Sequence, residues 1–245
     1  MRELNLVEDT KSHYFDNSSK QPSETTNEGT KEMSPQLPFV IAGGENTERF
    51  YLKHISKITS YKFDIRPEYF GNESGYDKIF LDRIENILNQ NRDPKIFCLL
   101  DFDTINKDEQ NKIKYKNFKE AIFEYTEKGT VVLCLSMPCV EYWFLLHFEN
   151  TTELFKTNEA VVVPLLKYMK DYFSDKPNRS FRRKLKNKEI LEDQSWVEKL
   201  CSDGKLELAI KRAKENIENA IKNNELENNI SYSYIYKLFD EYSSL

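Results

Sequence analysis

The run Ile96-Phe-Cys-Leu-Leu100 is apolar at every position and then stops at Asp101-Phe-Asp103. Successive residues of a strand point to opposite faces, so an uninterrupted apolar run needs cover on both. A run of the same kind stands at Phe39-Val-Ile-Ala42, another spans Thr130 to Leu135, and a strand is expected near Tyr61 to Arg66. Between them the apolar residues follow helical spacing: Thr47 to about Ile58, Tyr76 to Gln90 with Phe80, Ile84, Ile87 and Leu88 on one face, and roughly Asn111 to Lys128. Such alternation predicts an α/β fold, a mostly parallel sheet flanked by helices.

Three segments follow from the pattern. Residues 1–36 are rich in Ser, Thr, Asn, Asp, Glu and Lys, too polar to offset ordering entropy, and read as a disordered arm. Residues 37–150 carry the strands and form the expected core. Residues 151–245 read as a helical C-terminal extension, with helices over Val161–Phe173, Lys188–Leu200, Lys205–Asn223 and Tyr232–Tyr242 and no further strand. The apolar stretch Val131 to Phe148 is broken by Ser136, Pro138, Glu141 and His147, so it reads as strand, turn and buried helix rather than a membrane span.

The formal net charge of −5 excludes a protein coated in basic residues, so any nucleic-acid contact must be local. The four cysteines form no CxxC pair and no secretory signal precedes the fold, which points to reduced thiols and a cytoplasmic setting.

Chemistry concentrates just after the strands. Residues i and i+2 of an extended chain point the same way, so Asp101 and Asp103 are expected to project together as a divalent-metal pair while Phe102 turns into the core. After the first strand, Gly43-Gly44 allow a tight turn, Thr47 can cap a helix and Glu48 falls in its first turn. Glu48 could bind metal there or simply complete the helix start. Glu141 opens a helix that is otherwise nearly all apolar, so it either meets a charge partner or a metal, or faces solvent at the helix start. His147 reads as a packed or capping histidine rather than a ligand. In parallel strands these positions gather along one edge of the sheet, where ligands bind. Separately, Lys176 to Lys188 holds Arg179, Arg182, Arg183 and Lys184 with no acidic residue, either a phosphate-backbone contact, a solvated loop or a face for an acidic partner.

The ordered set Gly43-Gly-Glu45-Asn-Thr47-Glu48-Arg-Phe-Tyr51, Leu99-Leu-Asp101-Phe-Asp103 and Ser136-Met-Pro138-Cys-Val-Glu141-Tyr-Trp143-Phe-Leu-Leu-His147-Phe148 resembles the RloB-like family, from about Pro38 onward. That family has a Toprim-type fold. The resemblance implies acidic groups that bind Mg²⁺ or Mn²⁺ and act on phosphodiester bonds of RNA, including tRNA, or DNA. It also implies a role in bacterial anti-phage defence beside an AAA or ABC-type ATPase, with relatives among abortive-infection and OLD-type nucleases. Carried over by position, Glu48, Asp101 and Asp103 would be metal ligands. Ser136 and Glu141 would complete or support the site, with His147 in the same motif. The family usually begins its first motif with Glu-Gly, whereas this chain has Gly43-Gly44, and Glu45 is the candidate replacement.

Two other readings remain open: a catalytically degenerate Toprim that senses or docks, and a haloacid-dehalogenase-like phosphatase with Asp101 as nucleophile and Asp103 as acid. The second wants a further acidic pair after another strand.

Overall fold

Four parallel strands, β1 (Phe39–Ala42), β2 (Asp64–Arg66), β3 (Ile96–Asp101) and β4 (Val131–Met137), lie in the order β2-β1-β3-β4. A two-residue strand, β5 (Tyr232–Ser233), pairs antiparallel with β4 at the far edge. The computed structural model describes residues 36–43, 46–66, 76–174, 187–226 and 230–240, and from Gln36 onward the chain forms one compact unit.

Helix α1 (Thr47–Ile58) connects β1 to β2, and α2 (Tyr76–Gln90) precedes β3. Between β3 and β4 come α3 (Phe102–Ile105), α4 (Glu109–Ala121) and α5 (Phe123–Glu127). After β4 follow α6 (Val140–Leu146), α7 (Asn158–Ser174), α8 (Lys188–Leu191), α9 (Ser195–Cys201) and α10 (Lys205–Asn223). Beyond β5 a 3-10 turn over Tyr234–Tyr236 leads into α11 (Lys237–Asp240). No described helix is long and apolar enough to cross a membrane.

The strict alternation of β3 divides its side chains between two cores. Phe97 and Leu99 join Val40, Ala42, Phe50 and Tyr51 in the larger one, which also takes in α6 and the apolar residues of α7, α9 and α10. Ile96, Cys98 and Leu100 join Phe39, Ile41, Phe80, Ile84 and Phe118 on the other side, under α2 and α4. Both faces of the sheet are therefore covered, which is what uninterrupted apolar strands require. Residues after 150 pack into the same large core as the strands.

Several expectations need correction. The segment from Tyr232 is not one helix, because its first two residues pair with Ser136 and Met137 of β4. Strand β3 stops at Asp101 and the backbone turns helical at Phe102, so Asp101 and Asp103 are not an extended i, i+2 pair. Phe102 stays half-buried and Ile105 supplies the buried residue of that turn instead. The helix expected to Lys128 breaks at Ile122, and the one expected over Lys188–Leu200 breaks between Leu191 and Ser195.

Candidate functional site

Chain order and strand order reverse between β1 and β3: β1 is followed by β2 on one side, and β3 lies on the other. The crevice beyond the carboxyl ends of such a strand pair is the usual ligand position of open α/β sheets. Here it receives the start of α1, which carries Glu48, and the end of β3, which carries Asp101.

Asp101 continues the side of β3 that bears Phe97 and Leu99, so its carboxyl faces α1 and α6. Glu48 and Glu141 lie in the first turns of those two helices and are 6% and 4% exposed. Asp103, in the first turn of α3, is exposed. Burial pushes the Asp101 carboxyl well above the usual aspartate range. The charges of Glu48, Glu141 and Asp103 push it further, while a hydrogen bond from the Val140 backbone N–H opposes them. Helix starts carry partial positive charge, which offsets part of this crowding. The turns that hold the acids are also tied together: the Asp103 amide donates to the Pro138 carbonyl at 3.0 Å and the Gly43 amide to the Leu99 carbonyl at 3.0 Å.

Four carboxylates thus share one electrostatic neighbourhood. They do not close into a finished cage, since among the described residues no three His, Cys, Asp or Glu side chains are grouped tightly enough to hold one ion. The donors are all carboxylate oxygens, the hard ligands suited to Mg²⁺ or Mn²⁺. Mg²⁺ keeps several waters and takes one or two carboxylates plus substrate phosphate, so a looser acidic set fits it.

Glu141 has a buried support that sequence reasoning missed. The Cys139 thiol hydrogen-bonds the Glu141 side chain, and Asn158 Nδ2 donates to Cys139 Sγ at 3.2 Å. Burial, then Glu141 and Asp101, push the thiol well above its ordinary range, so it remains an S–H donor. Asn158 Oδ1 is buried with no hydrogen-bond partner. Cys139 beside the Pro138 and Glu141 motif was a visible clue. Asn158, nineteen residues away, offered none.

Ser136 stands opposite Asp101 in the β3–β4 register, yet its Oγ is spent on Ser233 Oγ at 2.9 Å, both side chains buried. It holds β5 to the sheet. His147 lies in a fully buried chain of hydrogen bonds. Its Nδ1 is 2.8 Å from the Leu200 carbonyl, which can only accept, so Nδ1 carries the proton and Nε2 accepts from Tyr51 Oη at 3.3 Å. Tyr51 in turn accepts from Trp143 Nε1 at 2.8 Å. Burial is the main reason the imidazole is pushed down to about 3 and the Tyr51 phenol well up, so the network is neutral. The packed histidine expected from the sequence is what the structure contains.

A Cβ on Gly43 would meet the Leu99 carbonyl oxygen at 3.3 Å, with Leu100 and Phe80 next, so that position is tight as well as lacking a carboxylate. Glu45 and the cations Arg179, Arg182, Arg183 and Lys184 lie outside the described residues.

A doubly covered, mostly parallel sheet with carboxylates from three helix starts at its carboxyl edge defines an α/β protein with an acidic centre. The family model for RloB-like protein matches residues 39–241, and the chain belongs to that family. No curated protein and no solved structure matches it.

Proposed function

We propose that this protein is a metal-dependent nuclease with a Toprim-type core, hydrolysing phosphodiester bonds of RNA, such as tRNA, or of DNA. On this reading it acts in the bacterial cytoplasm in anti-phage defence, beside an AAA or ABC-type ATPase. The observation that carries the reading is the crowding of Glu48, Glu141 and Asp103 around a desolvated Asp101 at the switch point of the sheet. Like charges crowded around a desolvated carboxyl call for a cation.

Glu48, Asp101 and Asp103 would hold Mg²⁺ or Mn²⁺, with Glu45 standing in for the carboxylate that Gly43 lacks. When bound, the ion supplies Lewis-acid stabilisation of the charge on the phosphoryl group. Glu141, fixed by Cys139, is the carboxylate left to take a proton from the attacking water on its side-chain oxygen. The apolar residues of α6 behind it exclude bulk water from that side. Because the Asp101 carboxyl holds its proton more readily than an ordinary aspartate, activity should fall on the acid side.

The test is cleavage of tRNA and DNA by the full chain with its natural ATPase partner in Mg²⁺ or Mn²⁺, beside Asp101→Ala. Cleavage lost in the variant supports the reading; equal, negligible cleavage by both proteins sinks it. The open carboxylate arrangement and Gly43 favour a second reading, a degenerate domain that senses or docks. A protein whose melting temperature ignores Mn²⁺ would decide for that one. The phosphatase reading gains nothing, since β5 offers Tyr232 and Ser233 rather than an acidic pair.

A further inference from the structure

We propose that the cleft between α1 and the edge strand β2 binds the phosphodiester backbone of a single nucleic-acid strand and leads it toward the acidic centre. Only the strand's destination rests on the nuclease reading; the binding itself does not. The cleft measures about 680 Å³; Arg49 and Lys53 line it from α1, and Leu37, Phe63 and Ile65 form its apolar wall. Among the described residues its one carboxylate, Asp64, is engaged by Arg66, whose Nε lies 2.8 Å from Asp64 Oδ1. In a chain of net charge −5 this is a local reversal of sign, and a concave cationic surface focuses its field on an approaching polyanion.

Position favours a route into the site. Arg49 directly follows Glu48, and Arg66 stands opposite Ile41, one residue short of the end of β1, so the cleft opens at the same sheet edge as the carboxylates. Arg49 and Lys53 are i and i+4 on α1, roughly 6 Å apart at Cβ, a spacing close to that of successive phosphates on an extended strand. The cations are also held in advance. Arg49 and Lys53 each sit 5.9 Å from the centre of the Phe50 ring, whereas Arg66 lies over Phe39 on the α2 face of the sheet and adds no grip to this cleft. Side chains already ordered on aromatic rings lose less entropy when they grip a ligand. Among the described residues the rings beside the cleft, Phe50 and Phe63, are buried and offer no face for base stacking. These residues therefore read backbone charge and not sequence.

The test is fluorescence anisotropy of a labelled single-stranded oligonucleotide with the full chain in Ca²⁺, repeated across KCl concentrations. The double reversal R49E/K53E should weaken binding by about tenfold or more and lower the salt slope by about 1.4, at ~0.7 per phosphate contact. The matched reversal K211E/K222E on the exposed side of α10 should leave both unchanged. An unaltered Mn²⁺ effect on the melting temperature of R49E/K53E shows that fold and acidic centre survive. Absence of binding by the unaltered protein, equal binding by R49E/K53E, or equal loss in the α10 control overturns the proposal. Strands that bind through the cleft but are never cut would leave it standing and remove the nuclease reading instead.

Discussion

Tyr51 donates its phenolic hydrogen to Nε2 of His147 across 3.3 Å, joining the helix that carries Glu48 to the helix that carries Glu141. Trp143 completes the joint by donating to the same phenolic oxygen at 2.8 Å. The geometry of the acidic centre is set by this neutral, buried connection as much as by the acids.

Tyr51→Phe removes one oxygen and leaves two buried groups stranded, the Trp143 N–H and His147 Nε2. A loss of about 1–3 kcal/mol is expected, a fall of several degrees in melting temperature. Urea unfolding measures it, and a variant as stable as the parent would show that the phenol bears no load.

His147 predicts acid sensitivity. The unfolded chain protonates this imidazole near 6.5 and the folded chain near 3, so between those values the unfolded state binds the extra proton. Its contribution is complete above the unfolded value and is lost as pH falls toward the folded one, by up to about 1.4 kcal/mol per pH unit. His54, also pushed down by burial, adds in the same direction. Stability measured by urea between about pH 7 and 5 should fall, and His147→Gln should flatten the slope.

Asp101 works with the opposite sign. Its folded value is raised above the ordinary 3.8, so its contribution is present below that value and is lost as pH rises through the raised one. Above the ordinary value, burying this carboxyl therefore costs the metal-free fold stability. Asp101→Asn should raise the melting temperature in EDTA by a few degrees, for about 1 kcal/mol, and remove any rise on adding Mn²⁺. A lower melting temperature in EDTA would contradict this account.

Cys139 and Asn158 position Glu141 without facing substrate. Cys139→Ser keeps a donor and should retain cleavage, whereas Cys139→Ala and Asn158→Leu should slow it several-fold while Mn²⁺ affinity and far-ultraviolet dichroism stay native. Equal rates across the three variants would reduce the pair to packing.

Much of the frame was legible because it is locally encoded. The apolar spacing of α1, α2 and α10 marks their limits, and three acids fall at the ends of strands that periodicity alone identifies. β5 was not legible, since Tyr232 and Ser233 become a strand only by meeting Met137 and Ser136 nearly a hundred residues away. Neither was the early end of β3: nothing in Asp101-Phe-Asp103 distinguishes an extended exit from a helical turn capped against Pro138. The Asn158–Cys139–Glu141 link and the cationic cleft share that character, because both depend on elements that meet only after folding.

The two residues of β5 also impose an order on biosynthesis. The ribosome delivers Glu48, Asp101 and Glu141 long before Tyr232 and Ser233, and until those emerge the outer margin of β4 has no neighbour. An interrupted translation product consequently carries every described acid of the centre on an unfinished sheet, with the Ser136 hydroxyl still waiting for its mate.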